Sequence, residues 1–139
     1  MKQKMSVNWD GGMAFSSQIN GHAIAIDAPE EFGGSGSAPN PKPLMLMALA
    51  GCTGIDVVSI LKKMKVKIET FSIDVESTMT EDHPKVYTAM HIFYSFAGKN
   101  LDAKKIQRAI ELSMNNYCGV SAMYKRAMDI TYEMKITES

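Results

Sequence analysis

Two sulfur atoms are the groups in this 139-residue chain best suited to chemistry, for Cys52 and Cys118 are its only cysteines. A thiolate can attack an electrophile, bind a soft metal or become half of a disulfide, and its surroundings decide which. Cys52 lies in Ala50-Gly51-Cys52-Thr53-Gly54-Ile55-Asp56, inside a long apolar stretch with helical character. Glycine in a helix interior costs about 1 kcal/mol against alanine. Two glycines bracketing one cysteine therefore suggest close approach by another helix or by a substrate. Asp56 and Ser59, four and seven residues on, put one polar stripe on that helix. A carboxylate beside a thiol disfavours the thiolate, which suits Asp56 better to a hydrogen-bonded structural role than to activating the sulfur. Cys118, between Asn115-Asn116-Tyr117 and Gly119-Val120-Ser121, falls at the expected start of a short helix. Unpaired N–H groups and the helix dipole favour a thiolate there. Free cysteines are also commonly small buried apolar groups, and a separation of 66 positions does not distinguish a reactive pair from two such residues.

The remaining composition narrows the chemistry. Formal net charge is zero, so nothing calls for nucleic acid or an anionic membrane as partner. No CxxC pair occurs and His22, His83 and His91 show no ligand spacing, so the sequence predicts no metal. No apolar segment follows Met1-Lys2-Gln3-Lys4, and the longest unbroken apolar run, Leu44 to Ala50, is far short of the roughly 18 residues of a spanning helix. These features predict a soluble cytoplasmic protein, and in that reducing compartment no resting structural disulfide is expected.

The elements that must position the two sulfurs are readable in outline. The length predicts a single domain over residues 1–139. Met13 to Ile19 and His22 to Asp27 flank Asn20-Gly21, a strong signal for a two-residue hairpin. Ala28 to Pro43 is rich in Gly, Ser and Pro and lacks the Gly-Lys-Ser/Thr ending of a phosphate loop, so it reads as a mobile connection. Asn40 as cap and proline in the first turn predict a helix running to about Lys65. Its first half is apolar all round, as for a helix buried on every side, and one small chain has too little to wrap it. A second copy would supply the rest, which predicts a homodimer. Glu69 to Thr78 and Lys85 to Phe96 read as long strands, followed by a helix from Leu101-Asp102 with Ile106, Ala109, Ile110 and Ser113 on one face. A short helix from Cys118 and a strand over Asp129 to Lys135 complete an α+β pattern, in which helices and strands stand in separate blocks.

The stretch Pro43 to Met64 around Ala50-Gly51-Cys52-Thr53-Gly54 resembles the central helix of the OsmC/Ohr family, and Tyr117-Cys118-Gly119-Val120-Ser121 resembles that family's second cysteine motif. The order of elements matches over nearly the whole chain. The resemblance implies antiparallel sheets around a long buried central helix, in an intertwined homodimer with sites at the interface. It also implies that Cys52 attacks the O–O bond of a small apolar hydroperoxide, that Cys118 resolves the sulfenic acid, and that a dithiol restores both without any cofactor. The chain departs from the peroxidase pattern. Lys42 stands ten residues before Cys52, where those peroxidases place a glutamate, and the only arginines, Arg108 and Arg126, lie late in the sequence. Lys42, Asp56 and Arg126 are thus candidate supporting groups. Met45, Met47 and Leu49 are expected to line the approach to Cys52. A non-catalytic module binding an apolar or thiol ligand on the same scaffold is the alternative.

Overall fold

The computed structural model describes all 139 residues, which fall into two compact units, Met1–Met45 and Leu46–Ser139. In the first unit three short strands, β1 (Asn8–Trp9), β2 (Phe15–Ile19) and β3 (His22–Ile26), form an antiparallel sheet. Asn20 and Gly21 turn the β2–β3 hairpin with φ of +51° and +80°, and Ile19 pairs directly with His22. Positive φ at both central positions is what a two-residue hairpin needs and what Asn-Gly supplies at least strain.

The Gly-Ser-Pro segment after β3 is not the open connection its composition predicts. It folds around Asp27, which is only 2% exposed. One carboxylate oxygen accepts the Ala28 N–H at 2.7 Å. The other accepts the Ser35 hydroxyl at 2.9 Å, the Ser37 N–H at 3.1 Å and the Ser37 hydroxyl at 2.7 Å. Gly34 packs so tightly that a β-carbon there would lie 1.9 Å from the Ala28 carbonyl oxygen, so no other residue fits. The Ser37 hydroxyl and N–H lead in holding the Asp27 carboxyl far below the usual carboxylate range, against the opposing pull of burial.

A helix, α1 (Pro43–Lys63), follows and carries Cys52. It opens on Pro43 itself rather than at Asn40, because 41–42 form a turn, with Leu44 N–H donating to the Pro41 carbonyl and Met45 N–H to the Lys42 carbonyl. Proline suits the first helical position, where its missing N–H leaves nothing unpaired. The second unit adds β4 (Thr70–Met79), β5 (Tyr87–Gly98), α2 (Ala103–Leu112), a π turn over Ser113–Tyr117, α3 (Gly119–Tyr124) and β6 (Asp129–Glu138). The sheet order is β4-β5-β6, with β4–β5 antiparallel and β5–β6 parallel. The expectation of purely antiparallel sheets is corrected at this point. Parallel neighbours need a crossover, and α2, the π turn and α3 make it, delivering Cys118 on the way.

The core comes from one face of the sheet and one stripe of each long helix. Met90, Ile92, Tyr94 and Phe96 alternate along β5, Leu49, Val57 and Leu61 descend one side of α1, and Ile106, Ala109 and Ile110 face them from α2. Each large apolar side chain so enclosed contributes roughly 1.5–3 kcal/mol. The α2 face matches the predicted periodicity. Helix α1 differs from a helix enclosed on every side. Leu49, Thr53, Val57 and Leu61 are buried, whereas Met47 and Ile55 are 72% and 73% exposed. By length and composition α1, with a mean hydropathy of 2.0 in its most apolar window, could cross a membrane. The short unbroken run Leu44 to Ala50 understates this, because the glycines and Thr53 that interrupt it are nearly neutral. The buried stripe of α1 within a folded core identifies it instead as a core helix.

Candidate functional site

The fold erases the sequence distance between the cysteines. The Cys52 and Cys118 sulfurs and a carboxylate oxygen of Asp56 all lie within 4.8 Å of one another. Asp56 reaches this point because it stands one helical turn after Cys52 on α1. Cys118 reaches it through the π turn that closes α2. There the Cys118 N–H donates to the Ser113 carbonyl at 2.7 Å, five residues back, and the chain then leaves the helix with Cys118 extended. Such wide turns recur at functional sites.

Cys118 is the N-cap of α3, and its sulfur accepts the Ser121 N–H at 3.4 Å. The sequence expectation of a helix-start cysteine is met. Cys118 is 3% exposed, whereas Cys52 is partly open. Burial is the main influence on Cys52 and pushes its thiol up. The Val120 N–H pulls it back, and the neighbouring Cys118 thiol and Asp56 carboxylate add to the rise. No lysine or arginine is among these influences.

Three buried hydroxyls back the site, and the sequence singled out only Ser113, as part of an apolar helix face. The Tyr94 hydroxyl lies 2.7 Å from Thr53 Oγ1, which lies 2.7 Å from Ser113 Oγ, and Ser113 donates to Asp56 Oδ2 at 3.0 Å. Each hydroxyl has one proton to give. With Asp56 ionised, the direction is therefore fixed: Tyr94 donates to Thr53, Thr53 to Ser113, and Ser113 to the carboxylate. Burial is the leading reason the Tyr94 hydroxyl is pushed up to about 12, so it stays a donor throughout the neutral range. The available signal was the pairing of Thr53 and Ser113 with otherwise apolar positions, since a hydroxyl at a core position needs a partner.

Beside Asp56 opens a recess of about 510 Å³ lined by Ser59, Ile60, Lys63, Met64, Leu112 and Tyr117. Met45, Met47 and Leu49, expected around Cys52, do not line this recess. Leu49 is wholly in the core, and Met47 lines another groove of about 730 Å³ with Gly51, Gly54, Ile55, Phe71 and Ile73. The two glycines divide accordingly. A β-carbon at Gly54 would come within 3.0 Å of Ile73 Cδ1 on β4, whereas Gly51 faces open space. Of the other candidates, Lys42 lies in the turn that opens α1. Arg126 is exposed in the turn after α3, where its N–H caps the helix on the Met123 carbonyl. The surface ion pairs Arg108–Glu111 and His91–Glu133 lie elsewhere.

Protein YhfA of Escherichia coli K12 is 33% identical over 132 residues, which is 94% of this chain and 95% of that protein. A hypothetical protein of Aquifex aeolicus has the same fold at a TM-score of 0.86 and 26% identity, covering 100% of this chain and 98% of its own. The organic hydroperoxide resistance protein OhrB of Bacillus subtilis superposes at a TM-score of 0.65 and 18% identity, over 96% of this chain and 98% of its own, a likeness of fold. The family model described as OsmC-like protein matches residues 34–133, and the chain belongs to the OsmC-like family.

Proposed function

We propose that this chain is a thiol-dependent reductase of organic hydroperoxides or related small oxidants, acting in oxidative-stress defence in a reducing cytoplasm. The observation that carries this reading is the approach of the two sulfurs to within 4.8 Å. Cys52, the more open of the two, attacks. Its thiolate displaces an alkoxide from the O–O bond, leaving Cys52 as sulfenic acid and the substrate as alcohol once a proton is taken up. The Cys118 thiol then condenses with the sulfenic acid, forming the disulfide and releasing water. Side-chain rotation must close the sulfurs to the roughly 2.05 Å of an S–S bond. A dithiol reductant returns both thiols and leaves as its own disulfide.

In this reading the chain works as a homodimer. The apolar face of α1 left open by Met47, Ile55 and Val58 is the surface a second copy would cover. The glutamate and arginine of the family's peroxidases are missing from the corresponding part of the sequence, and Cys52 is pushed up rather than down. Both features predict a slower attack than in those enzymes. They also favour the second reading, a small-molecule binding module that keeps its cysteines as contacts or relics. The deciding experiment adds cumene hydroperoxide to reduced protein in the presence of a chelator and titrates free thiols. Loss of both thiols with one disulfide formed per chain is expected. Two intact thiols after excess peroxide would overturn the catalytic reading. Ligand affinity unchanged in Cys52→Ser would then support the binding module.

A further inference from the structure

The reduced site gathers three acidic ligand groups. Two sulfurs and a carboxylate within 4.8 Å repel one another when ionised, a repulsion that a bound cation would relieve. We propose that the reduced chain binds one thiophilic divalent cation, with zinc as the type, through Cys52 Sγ, Cys118 Sγ and an oxygen of Asp56. This inference rests on the clustering alone and stands whether or not a peroxide is turned over.

The chemistry of the donor set fits. Zinc takes four ligands from thiolate, imidazole and carboxylate in a tetrahedron, and sites that bind a further molecule use three protein ligands. Zinc–sulfur and zinc–oxygen lengths of about 2.3 and 2.0 Å put tetrahedral ligand atoms roughly 3.4–3.8 Å apart. Atoms already within 4.8 Å need to contract by at most about 1.4 Å to reach that spacing. The supporting groups have the right polarity. The Cys118 sulfur accepts the Ser121 N–H at 3.4 Å, a donor that suits a thiolate. Ser113 donates to Asp56 Oδ2 and is itself held by Thr53 and Tyr94, which orients the carboxylate. The recess beside Asp56 leaves a side for a water or small anion as fourth ligand. Binding replaces two thiol protons with one divalent cation, so two protons leave per metal bound and the net charge of the site stays at −1. Oxidation to the disulfide removes both thiolates and with them the site. Metal and oxidant therefore compete for the same sulfurs.

The test uses the full chain, reduced and stripped by chelator. Zinc is titrated in competition with a chromophoric chelator, and cobalt(II) is added separately as a spectroscopic probe. One cation per chain is expected, with a thiolate-to-cobalt charge-transfer band and the strong visible absorption of a tetrahedral site. Affinity should fall at least about a hundredfold in Cys52→Ser and in Cys118→Ser, and about ten- to a hundredfold in Asp56→Asn. Unmutated protein oxidised with diamide, or alkylated with iodoacetamide, should bind no cation and show no band, which tests the site without risk to folding. Equal affinity of reduced and oxidised protein, or a cobalt spectrum without thiolate absorption, would overturn the proposal. Thiols that bind zinc yet survive excess peroxide in chelator would sink the peroxidase reading and leave this one standing.

Discussion

Two carboxylates in this chain share a residue type and partial enclosure but differ in what surrounds them. Asp27 accepts four hydrogen bonds, two from hydroxyls and two from peptide N–H groups. Its charge is fully answered, and the Gly-Ser segment it gathers has no reactive group near the carboxylate. Asp56 accepts from Ser113 and otherwise faces two thiols. An anion saturated with donors is an anchor, whereas one left partly unanswered beside nucleophiles is available to chemistry. Donor supply, rather than the carboxylate itself, separates structure from function here.

The sharpest way to test that contrast is at the sulfurs. Cys52→Ser should reduce peroxide-dependent thiol oxidation to the level of buffer. Cys118→Ser should still oxidise once at Cys52 and accumulate a sulfenic acid that dimedone captures. Peroxide consumption persisting in Cys52→Ser would place the chemistry elsewhere.

At the anchor, Asp27→Asn should lower the thermal midpoint at neutral pH while leaving thiol oxidation intact. The pH dependence follows from the sign of the shift. Folding depresses this carboxyl, so its contribution is complete above the ordinary unfolded value near 3.9 and is lost as pH falls through the lower folded value. The gap in midpoint between parent and variant should therefore be widest near neutrality and narrow below about pH 4. A gap that is constant with pH would mean that Asp27 acts by shape rather than by charge.

Behind the site, Ser113→Ala removes one hydroxyl and leaves buried Thr53 and half-buried Asp56 without it. An orphaned buried polar group costs about 1–3 kcal/mol. Denaturant unfolding should show a loss of that order, and loss within experimental error would mean that water replaces the hydroxyl.

The sequence made the two regions legible to different degrees. The hairpin at Asn20-Gly21, the strands on either side of residues 80–86 and the buried face of α2 follow from local rules, since φ > 0 at a turn and a period of two or 3.6 leave marks in the residue order. The Asp27 loop was not legible. Serine and glycine there read as flexibility until the carboxylate that binds Ser35 and Ser37 is seen to reach across ten residues. The parallel pairing of β5 with β6 was equally hidden, because strand direction is set by a crossover and not by strand composition. Of the site, the two cysteines and Asp56 were visible as residue types. Their meeting within 4.8 Å, and the Tyr94–Thr53–Ser113 chain behind them, depend on contacts 41 to 66 residues apart in sequence that no local pattern encodes. Helix α1 is apolar all round in composition, and one chain covers only the stripe from Leu49 to Leu61, in line with the expectation that a single copy has too little to wrap it.

The smallest effect separates the two duties of Cys118. Its sulfur caps α3 by accepting the Ser121 N–H, and at 3.4 Å that is a modest bond. Serine is among the best N-caps, so Cys118→Ser should keep or slightly raise stability while removing the resolving sulfur. Alanine removes cap and sulfur together and should cost about 0.5–1 kcal/mol relative to serine in denaturant unfolding. Both variants should lose disulfide formation equally. If alanine and serine are equally stable, the cap carries no weight, and Cys118 holds its place through the π turn and its buried packing alone. If alanine is the less stable by that amount, the same sulfur both starts a helix and waits for its partner. Drawing it into a disulfide would then weaken the first turn of α3.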